Sequence, residues 1–366
     1  MTTTTTATTQ QQRGAGRANA PLRLPDDVSE LLATFDLTLS DLLTTSNPKL
    51  AKTTRAGYAR GVIHHALPHR ALWRAINPAT VATTAPRGFV AGLRELAERT
   101  GMVDAARRHN GCPYATAGCA EACIAGSGFA GLSVSVTFAR GRRTLAMVAD
   151  PVTYARAVMF ATAAQMHRAE RDALPLAERL NGTDQAPWFA RTFPVSPADA
   201  ERIRRRFGVT VETGERLNIA DAFAPERDRL KLYEYCKGPI DAPDGLIAWR
   251  NAGWDVTASF AADRSTACRD AVAAVRAGFR VAFPVALSPG AAPLRSVVVE
   301  TTAGDRVTLP AVDGDETDAR YREPHAVAVV LREKRARGTD RAMVDRFILP
   351  DASTVDLADG RVRLIR

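Results

Sequence analysis

The stretch WDVTASFAADRSTACRDAVAAVRAGFRVAFPVAL spans residues 254–287. Its opening, WDVTASFA (254–261), reads as a strand. RSTACRDAVAAVRAG (264–278) has apolar spacing at Ala267, Ala271 and Val275 and stops at Gly278, which reads as a helix. FRVAFPVAL (279–287) is a second strand. Two strands joined through a helix by short turns make a parallel β/α unit, because a hairpin cannot connect parallel neighbours.

The same rhythm extends in both directions. HAVAVVLREK (325–334) is a later strand, and RLKLYEYCK (229–237) and AERLNGT (177–183) are earlier ones. SPADAERIRRRFG (196–208) opens with Ser196, Pro197 and Asp199, close to a capping box, and closes on Gly208. Asp150 followed by Pro151 starts a helix through VTYARAVMFATAAQMHRA. GVIHHAL (61–67) is the first strand, and Phe89, Leu93, Leu96 and Val103 mark a helix face leading to the cysteines. The total of about six strands falls short of the eight in a closed barrel. The expected fold is α/β, an open, partial parallel β/α barrel; a doubly wound sheet is the second candidate.

Residues 1–22, rich in Thr and Gln, are expected to be disordered. Residues 23–46 form a helical arm with Val28, Leu31, Leu32 and Phe35 on one face. Residues 47–350 form a single β/α metal-binding domain, and 351–366 a C-terminal strand or tail. Apolar residues make up 46% of the 366 and charged residues 24%, the balance of a soluble globular protein. No apolar run approaches the ~20 residues that span a bilayer. The N-terminus lacks the apolar core of a secretory signal. The expected location is therefore the cytoplasm, with no membrane contact and with reduced thiols. A net charge of +9 makes nucleic acid a candidate partner. The densest basic patches, RIRRRFG (202–208) and REKRARG (332–338), lack the aromatic interleaving of a single-strand binding platform.

Active sites of parallel β/α folds lie at the carboxyl ends of the strands. Here those ends read LNGTD, YEYCK, ASFAADRS and VDGDETD. Four polar runs in succession suggest the rim of one cleft. Asn181, Asp184, Lys237 and Asp313 are the candidate catalytic residues. Thr183, Glu234, Ser259 and Arg264 are candidates for holding a cofactor or substrate. Each has a plainer reading: a turn bent at Gly182, an acidic turn pairing with Arg320 or Arg322, an Arg264–Asp263 ion pair. Asp313, Asp315, Glu316 and Asp318 could bind Mg²⁺ or Ca²⁺, without the full calcium-loop pattern.

Cys112, Cys119 and Cys123 are spaced C-x6-C-x3-C. Thiolates are soft ligands for iron–sulfur clusters and zinc. Pro113 and Gly118 bend the loop, so that three sulfurs can meet about a common centre. A [4Fe–4S] cluster normally takes four cysteines, so three leave one iron open. Zinc is the alternative, with a fourth ligand from His109 or Cys236, and three small core residues is the plainest reading. Cys268 reads as a core residue. His64, His65 and His69 form no joint site, because neighbours on a strand face opposite sides.

The sequence resembles the phage "gene product 88" domain family. The matching stretches are NPKLAK (47–52), CPYATAGCAEACI (112–124), RLNGTDQAPW (179–188), LYEYCK (232–237), DVTASFAADRS (255–265), VDGDETDARYREP (312–324) and AVAVVLREK (326–334). The cysteine loop is also similar to that of phage proteins related to radical S-adenosylmethionine enzymes. That resemblance implies a partial β/α barrel, three cysteines on a [4Fe–4S] cluster, and S-adenosylmethionine on the open iron. The usual spacing there is C-x3-C-x2-C; both gaps are wider here, and residues 72–108 intervene after the first strand as an added helix. GSGFAG (126–131) follows Cys123 too closely to serve as the glycine-rich motif of that family. The implied activity is that of a phage-type iron–sulfur enzyme in the host cytoplasm, acting on a small molecule, a nucleotide or nucleic acid. The alternative is a non-catalytic metal-binding phage protein that engages nucleic acid or a host factor.

Overall fold

Local chemistry sets the helix ends. The Asp150 carboxylate accepts from the Val152 and Thr153 amides, and the helix Pro151–Arg171 begins there. Ser196 and Asp199 cap each other at the start of Pro197–Phe207, which ends on Gly208 in the left-handed region, φ 67°. The arm helix, Asp26–Thr34, buries Val28, Leu31 and Leu32, and Phe35 is buried just beyond it. Arg156 of the long helix pairs with Asp27 of the arm at 2.6 Å. The helix read over 89–103 is two pieces, Ala91–Arg99 and Val103–Arg108, broken at Gly101, φ 69°.

The computed structural model describes residues 22–68, 71–79, 90–123, 133–288, 290–334 and 340–366. The Thr/Gln-rich tail up to residue 21, His69, Phe89, the GSGFAG run and the end of the 332–338 basic patch lie outside them. Among the described residues, eleven strands share one sheet. Its parallel part joins β1 (Arg60–Ile63), β2 (Leu176–Arg179), β5 (Leu230–Cys236), β6 (Asp255–Ser259), β7 (Arg280–Ala286) and β10 (Ala328–Arg332) as successive neighbours. That order runs with the chain, as in a β/α barrel, and has no reversal of the doubly wound kind. The sheet does not close on itself, so the fold is an open, partial barrel.

Beyond β10 the sheet continues through a wing of four more strands, of which the sequence marked only the end at VDGDETD and a C-terminal strand within 351–366. β9 (Arg306–Asp313) lies parallel to β10. β8 (Ser296–Thr301) and β13 (Gly360–Ile365) follow as antiparallel neighbours, and β12 (Thr354–Leu357) ends the sheet. Residues 351–366 are therefore mostly a paired hairpin. β3 (Phe193–Val195) and β4 (Gly214–Leu217) form a separate antiparallel pair flanking the helix Pro197–Phe207, and β11 (Leu349–Pro350) adds to the end of β7.

Side-chain alternation gives the parallel sheet two faces. One packs on the helices: Glu178 of β2 accepts from Thr162 of the long helix at 2.9 Å, and Leu176 and Leu232 join the main core. On the other, Ala59, Ala177 and Tyr233 pack against Tyr321, which the chain brings over between β9 and β10. No helix among the described residues is long and apolar enough to cross a membrane.

Candidate functional site

β1, β2, β5 and β6 run the same way, so the residues that follow them come out at one end of the sheet. The cysteine loop lies across that end and is tied down at several points. Arg264, after β6, donates to the carbonyls of Lys237 at 2.8 Å and Tyr114 at 3.0 Å. Its neighbour Asp263 accepts from the Gly118 amide at 2.9 Å. The Tyr114 hydroxyl donates to Asp244 in the segment after β5. Thr116 caps the short turn Ala117–Glu121 by accepting from Cys119 N–H at 3.1 Å. Gly118 has no room for a side chain, since a Cβ would stand 2.6 Å from Phe347 Cβ and 2.7 Å from the Met343 carbonyl.

Beneath the loop, at the end of β5, lies Lys237. Its ammonium is held above the usual lysine range by the nearby cysteines in their ionised form, Cys119 first and then Cys112 and Cys123, against the cost of burial. Cys112 is buried; desolvation pushes its thiol up to about 12, opposed by Lys237 and reinforced by Asp184 and the other two cysteines. One ammonium thus lies within electrostatic reach of three thiols. Soft donors in a set of three suit an iron–sulfur cluster or zinc in kind, and Lys237 supplies the charge against which thiolates are stable. Their spacing is another matter: among the described residues no three His, Cys, Asp or Glu side chains stand close enough to hold a metal ion. The expected meeting of sulfurs at one centre is reduced here to a shared positive neighbour.

Cys236 points elsewhere. Its sulfur accepts from Gly238 N–H at 3.3 Å and Gln185 Nε2 at 3.5 Å, and burial raises it to about 11. His109 places Nε2 3.3 Å from the Leu67 carbonyl. Cys268 is buried on the helix Ala267–Arg276.

The end of β2 contributes the second part of the site. Asn181 is fully buried; its amide N–H donates to Glu234 Oε2 at 2.8 Å and its Nδ2 to the Ala186 carbonyl at 2.9 Å. Glu234 also accepts from Arg179 Nε at 3.1 Å and from its neighbour Tyr235 N–H at 3.0 Å. Burial pushes Glu234 up to about 7, while Arg179 and the amides pull it toward the ionised form. Asp184 is 6% exposed and neither of its oxygens has a protein partner. Burial and the Glu234 charge raise it to about 7, against the pull of Arg191. Asn181 Oδ1, Gln185 Oε1 and His65 Nδ1 are likewise buried without partners. Buried polar atoms without partners are rare in folded proteins, and a local group of them marks a place where water or a ligand completes the structure.

The remaining candidates divide. Ser259 and Arg264 line a cavity of about 30 Å³ beside Lys237, room for about two waters. Thr183 donates to the Ala66 carbonyl at 2.5 Å and joins the ends of β1 and β2. Asp313, at the end of β9, accepts from Asp315 N–H and lies 4.0 Å from Arg332. The acidic run it opens meets the helix Pro48–Arg55 instead: Lys49 pairs with Asp315 at 3.1 Å and Asp318 at 3.8 Å. NPKLAK and VDGDETD thus bind each other, and no contact of Asp313 reaches the cysteines.

His64 and His65 do face different surroundings. The Leu180 carbonyl can only accept, so His64 Nδ1 carries the proton and Nε2 accepts from the Tyr154 hydroxyl, each at 3.0 Å. Burial lowers His64 to about 3, which leaves it a neutral pin.

Sequence reading overlooked Arg140, Arg143 and Arg191. The first two are three apart on the helix Val134–Ala149 and share its inner face with Met147, a spacing that was visible. Compared with known protein families, with curated proteins and with solved structures, the chain matches none.

Proposed function

We propose that this chain is an iron–sulfur enzyme of the radical S-adenosylmethionine-like kind, akin to the phage gene product 88 proteins that its motifs resemble. The observation that carries the reading is the position of the cysteine loop. It follows the first strand of a partial β/α barrel, lies across the carboxyl ends of the strands, and is joined through Arg264 to the carbonyl of the half-buried Lys237. Cys112, Cys119 and Cys123 would hold the cluster. Held there, such a cluster would supply one-electron reduction of a bound sulfonium compound, chemistry that belongs to the cofactor.

The chain's own residues do the rest. Lys237 would offset thiolate charge at the cysteine loop. Asp263 and Arg264 fix the loop on the strand ends, and Arg264 ties it to the carbonyl of Lys237 itself. Asn181 and Glu234 brace the end of β2, so that Asp184 stays buried with both oxygens open to a ligand. Asp184 can hold or release a proton near neutral pH.

Anaerobic purification followed by iron, sulfide and zinc analysis tests the metal. The full chain should carry iron with matching sulfide, and Cys112→Ala, Cys119→Ala and Cys123→Ala should each lose it. Iron retained in all three variants would end the proposal, and zinc without sulfide would replace the cluster with a zinc site. Incubation with dithionite should convert S-adenosylmethionine to 5′-deoxyadenosine and methionine. A fully loaded protein that neither binds nor cleaves it would be a non-catalytic metal-binding protein.

A further inference from the structure

Arginine outnumbers lysine 44 to 5 in this chain, yet three of the five lysines meet on one aspartate. Lys49 Nζ lies 3.1 Å from Asp315 Oδ1, Lys334 Nζ lies 3.4 Å from the same oxygen, and Lys52 Nζ donates to the Asp315 carbonyl at 3.2 Å. Lys49 also donates to the Gly314 carbonyl at 3.1 Å and reaches Asp318 at 3.8 Å. The Asp318 N–H donates to Thr53 Oγ1 at 3.4 Å, and Asp315 Oδ2 accepts from Arg332 N–H at 2.9 Å. Of the other acids in the run, Asp313 lies 4.0 Å from Arg332, and Glu316 is exposed with no ion pair among the described residues. The helix Pro48–Arg55 and the run Gly314–Asp318 thus grip each other.

Their grip lies over the face of the parallel sheet that carries Ala59, Ala177 and Tyr233. A Cβ at Gly61 would stand 2.5 Å from Leu50 Cδ2, so the helix rests on Gly61, the register partner of Ala177. A Cβ at Gly314 would stand 2.7 Å from Val329 Cγ1 and 2.6 Å from Leu331 Cδ2, and both of those residues share a cluster with Tyr235. Alternation along β5 sets Lys237 on the same side as Tyr235. Arg179 lies over the Tyr235 ring, 4.6 Å from its centroid, and holds Glu234, which braces Asn181. The hold itself is of a kind that lets go. The helix buries only Leu50 and Thr53, and segments with few buried apolar contacts open first. A Cβ at Gly57, φ 70°, would meet nothing within 4 Å, so nothing braces the turn after the helix. The Lys49, Asp315 and Lys334 side chains are 19%, 21% and 42% exposed, so salt screens their pairing. An ammonium is also more strongly hydrated than a guanidinium and returns to water more readily.

We propose that the helix Pro48–Arg55 and the run Gly314–Asp318 form a reversible ionic strap across the open side of the barrel. Closed, it covers the side on which Tyr235 and Lys237 stand; open, it admits a substrate to them. Ionic strength sets the balance, because the contacts that close the strap are mostly between charged groups. The inference rests on the strand-end site of the proposed function and needs no metal in it.

Amine labelling of the full chain reads the strap directly, since each of the five lysines gives its own signal by peptide mass spectrometry. The chain is treated with an amine-acylating reagent in low salt and in about 1 M sodium chloride, where the Debye length falls to about 3 Å. Lys49, Lys334 and Lys237 should acylate severalfold faster in high salt, and Lys231, at the far end of β5, should not. Lys49→Met, which keeps the apolar stem, and Asp315→Asn should each give the fast rate at Lys237 already in low salt. Hydrogen exchange should quicken over residues 49–58 and stay fixed in the long helix Pro151–Arg171, which tells a moving strap from a failing fold. A Lys237 rate that salt and both substitutions leave unchanged overturns the proposal, even if Lys49 itself reacts faster, because the clasp would then cover nothing. Exchange that quickens equally in the long helix overturns it too, since the contact would then hold up the fold. Iron is measured on the same samples, and a strap response in a chain without iron supports the strap while counting against the cluster.

Discussion

Glu178 is fully buried and accepts one hydrogen bond, from Thr162 Oγ1 at 2.9 Å, while its second oxygen has no partner. Burial pushes it up to about 8, far above the value in an unfolded chain. A carboxyl group raised in this way stabilises the fold while protonated. That contribution is complete below the unfolded pKa, about 4.3, and is lost as pH rises through the folded value. Glu178→Gln keeps the shape and an acceptor for Thr162 but cannot ionise. The variant should match the wild type near pH 5 and exceed it increasingly up to pH 8, by at most a few kcal/mol, on the order of 1.4 kcal/mol per pH unit. Urea titrations at pH 5, 6, 7 and 8 check this. A constant difference across the series would mean that Glu178 does not take up its proton on folding.

Gly118 belongs to the scale of the element, since the whole cysteine loop docks through it. A methyl group there would stand within 3 Å of Phe347, the Met343 carbonyl and Asp263 Oδ2, two of them parts of the helix Arg341–Phe347. Gly118→Ala should lift the loop off that helix, speed alkylation of Cys119 severalfold and reduce bound iron, with the circular dichroism of the barrel unchanged. Unaltered alkylation would show that the neighbours yield without moving the loop. None of this docking was legible beforehand, because Gly118 and Asp263 are 145 residues apart. What was legible is local: the Asp150–Pro151 start, the Ser196–Asp199 box, and strand ends that place Asn181, Asp184, Glu234 and Lys237 together. The helix Val134–Ala149 escaped notice because its β-branched start and Gly141 read against a helix. Packing explains the glycine, since a Cβ at 141 would lie 2.3 Å from Leu93 Cδ2. Asp313 misled for the opposite reason: a polar strand end can serve a clasp, as Lys49 and Asp315 do, as readily as a site.

At the scale of the whole molecule, the antiparallel wing and the parallel half share β9 and form one sheet, so the C-terminal hairpin should matter to a site it does not touch. β13 pairs with β8 from Gly360 to Ile365 and buries Val362 and Leu364. In the hairpin turn, Asp359 accepts from Cys268 N–H at 3.1 Å and Arg269 N–H at 2.9 Å, capping the helix Ala267–Arg276. That helix begins three residues after Arg264, the residue that ties down the cysteine loop. A chain ending at Pro350 loses the cap, worth about 1 kcal/mol, and two buried aliphatic side chains, worth roughly 1.5–3 kcal/mol each. It also leaves β8 with an open edge of unpaired amides and carbonyls. The total is comparable to the ~5–15 kcal/mol that holds a typical domain folded. The truncated chain should therefore unfold in one transition at a much lower urea midpoint, and below that midpoint Cys119 should react faster than in the full chain. If the midpoint and the reactivity of Cys119 both stay at their full-length values, the wing is an independent appendage and the sheet transmits nothing to the site.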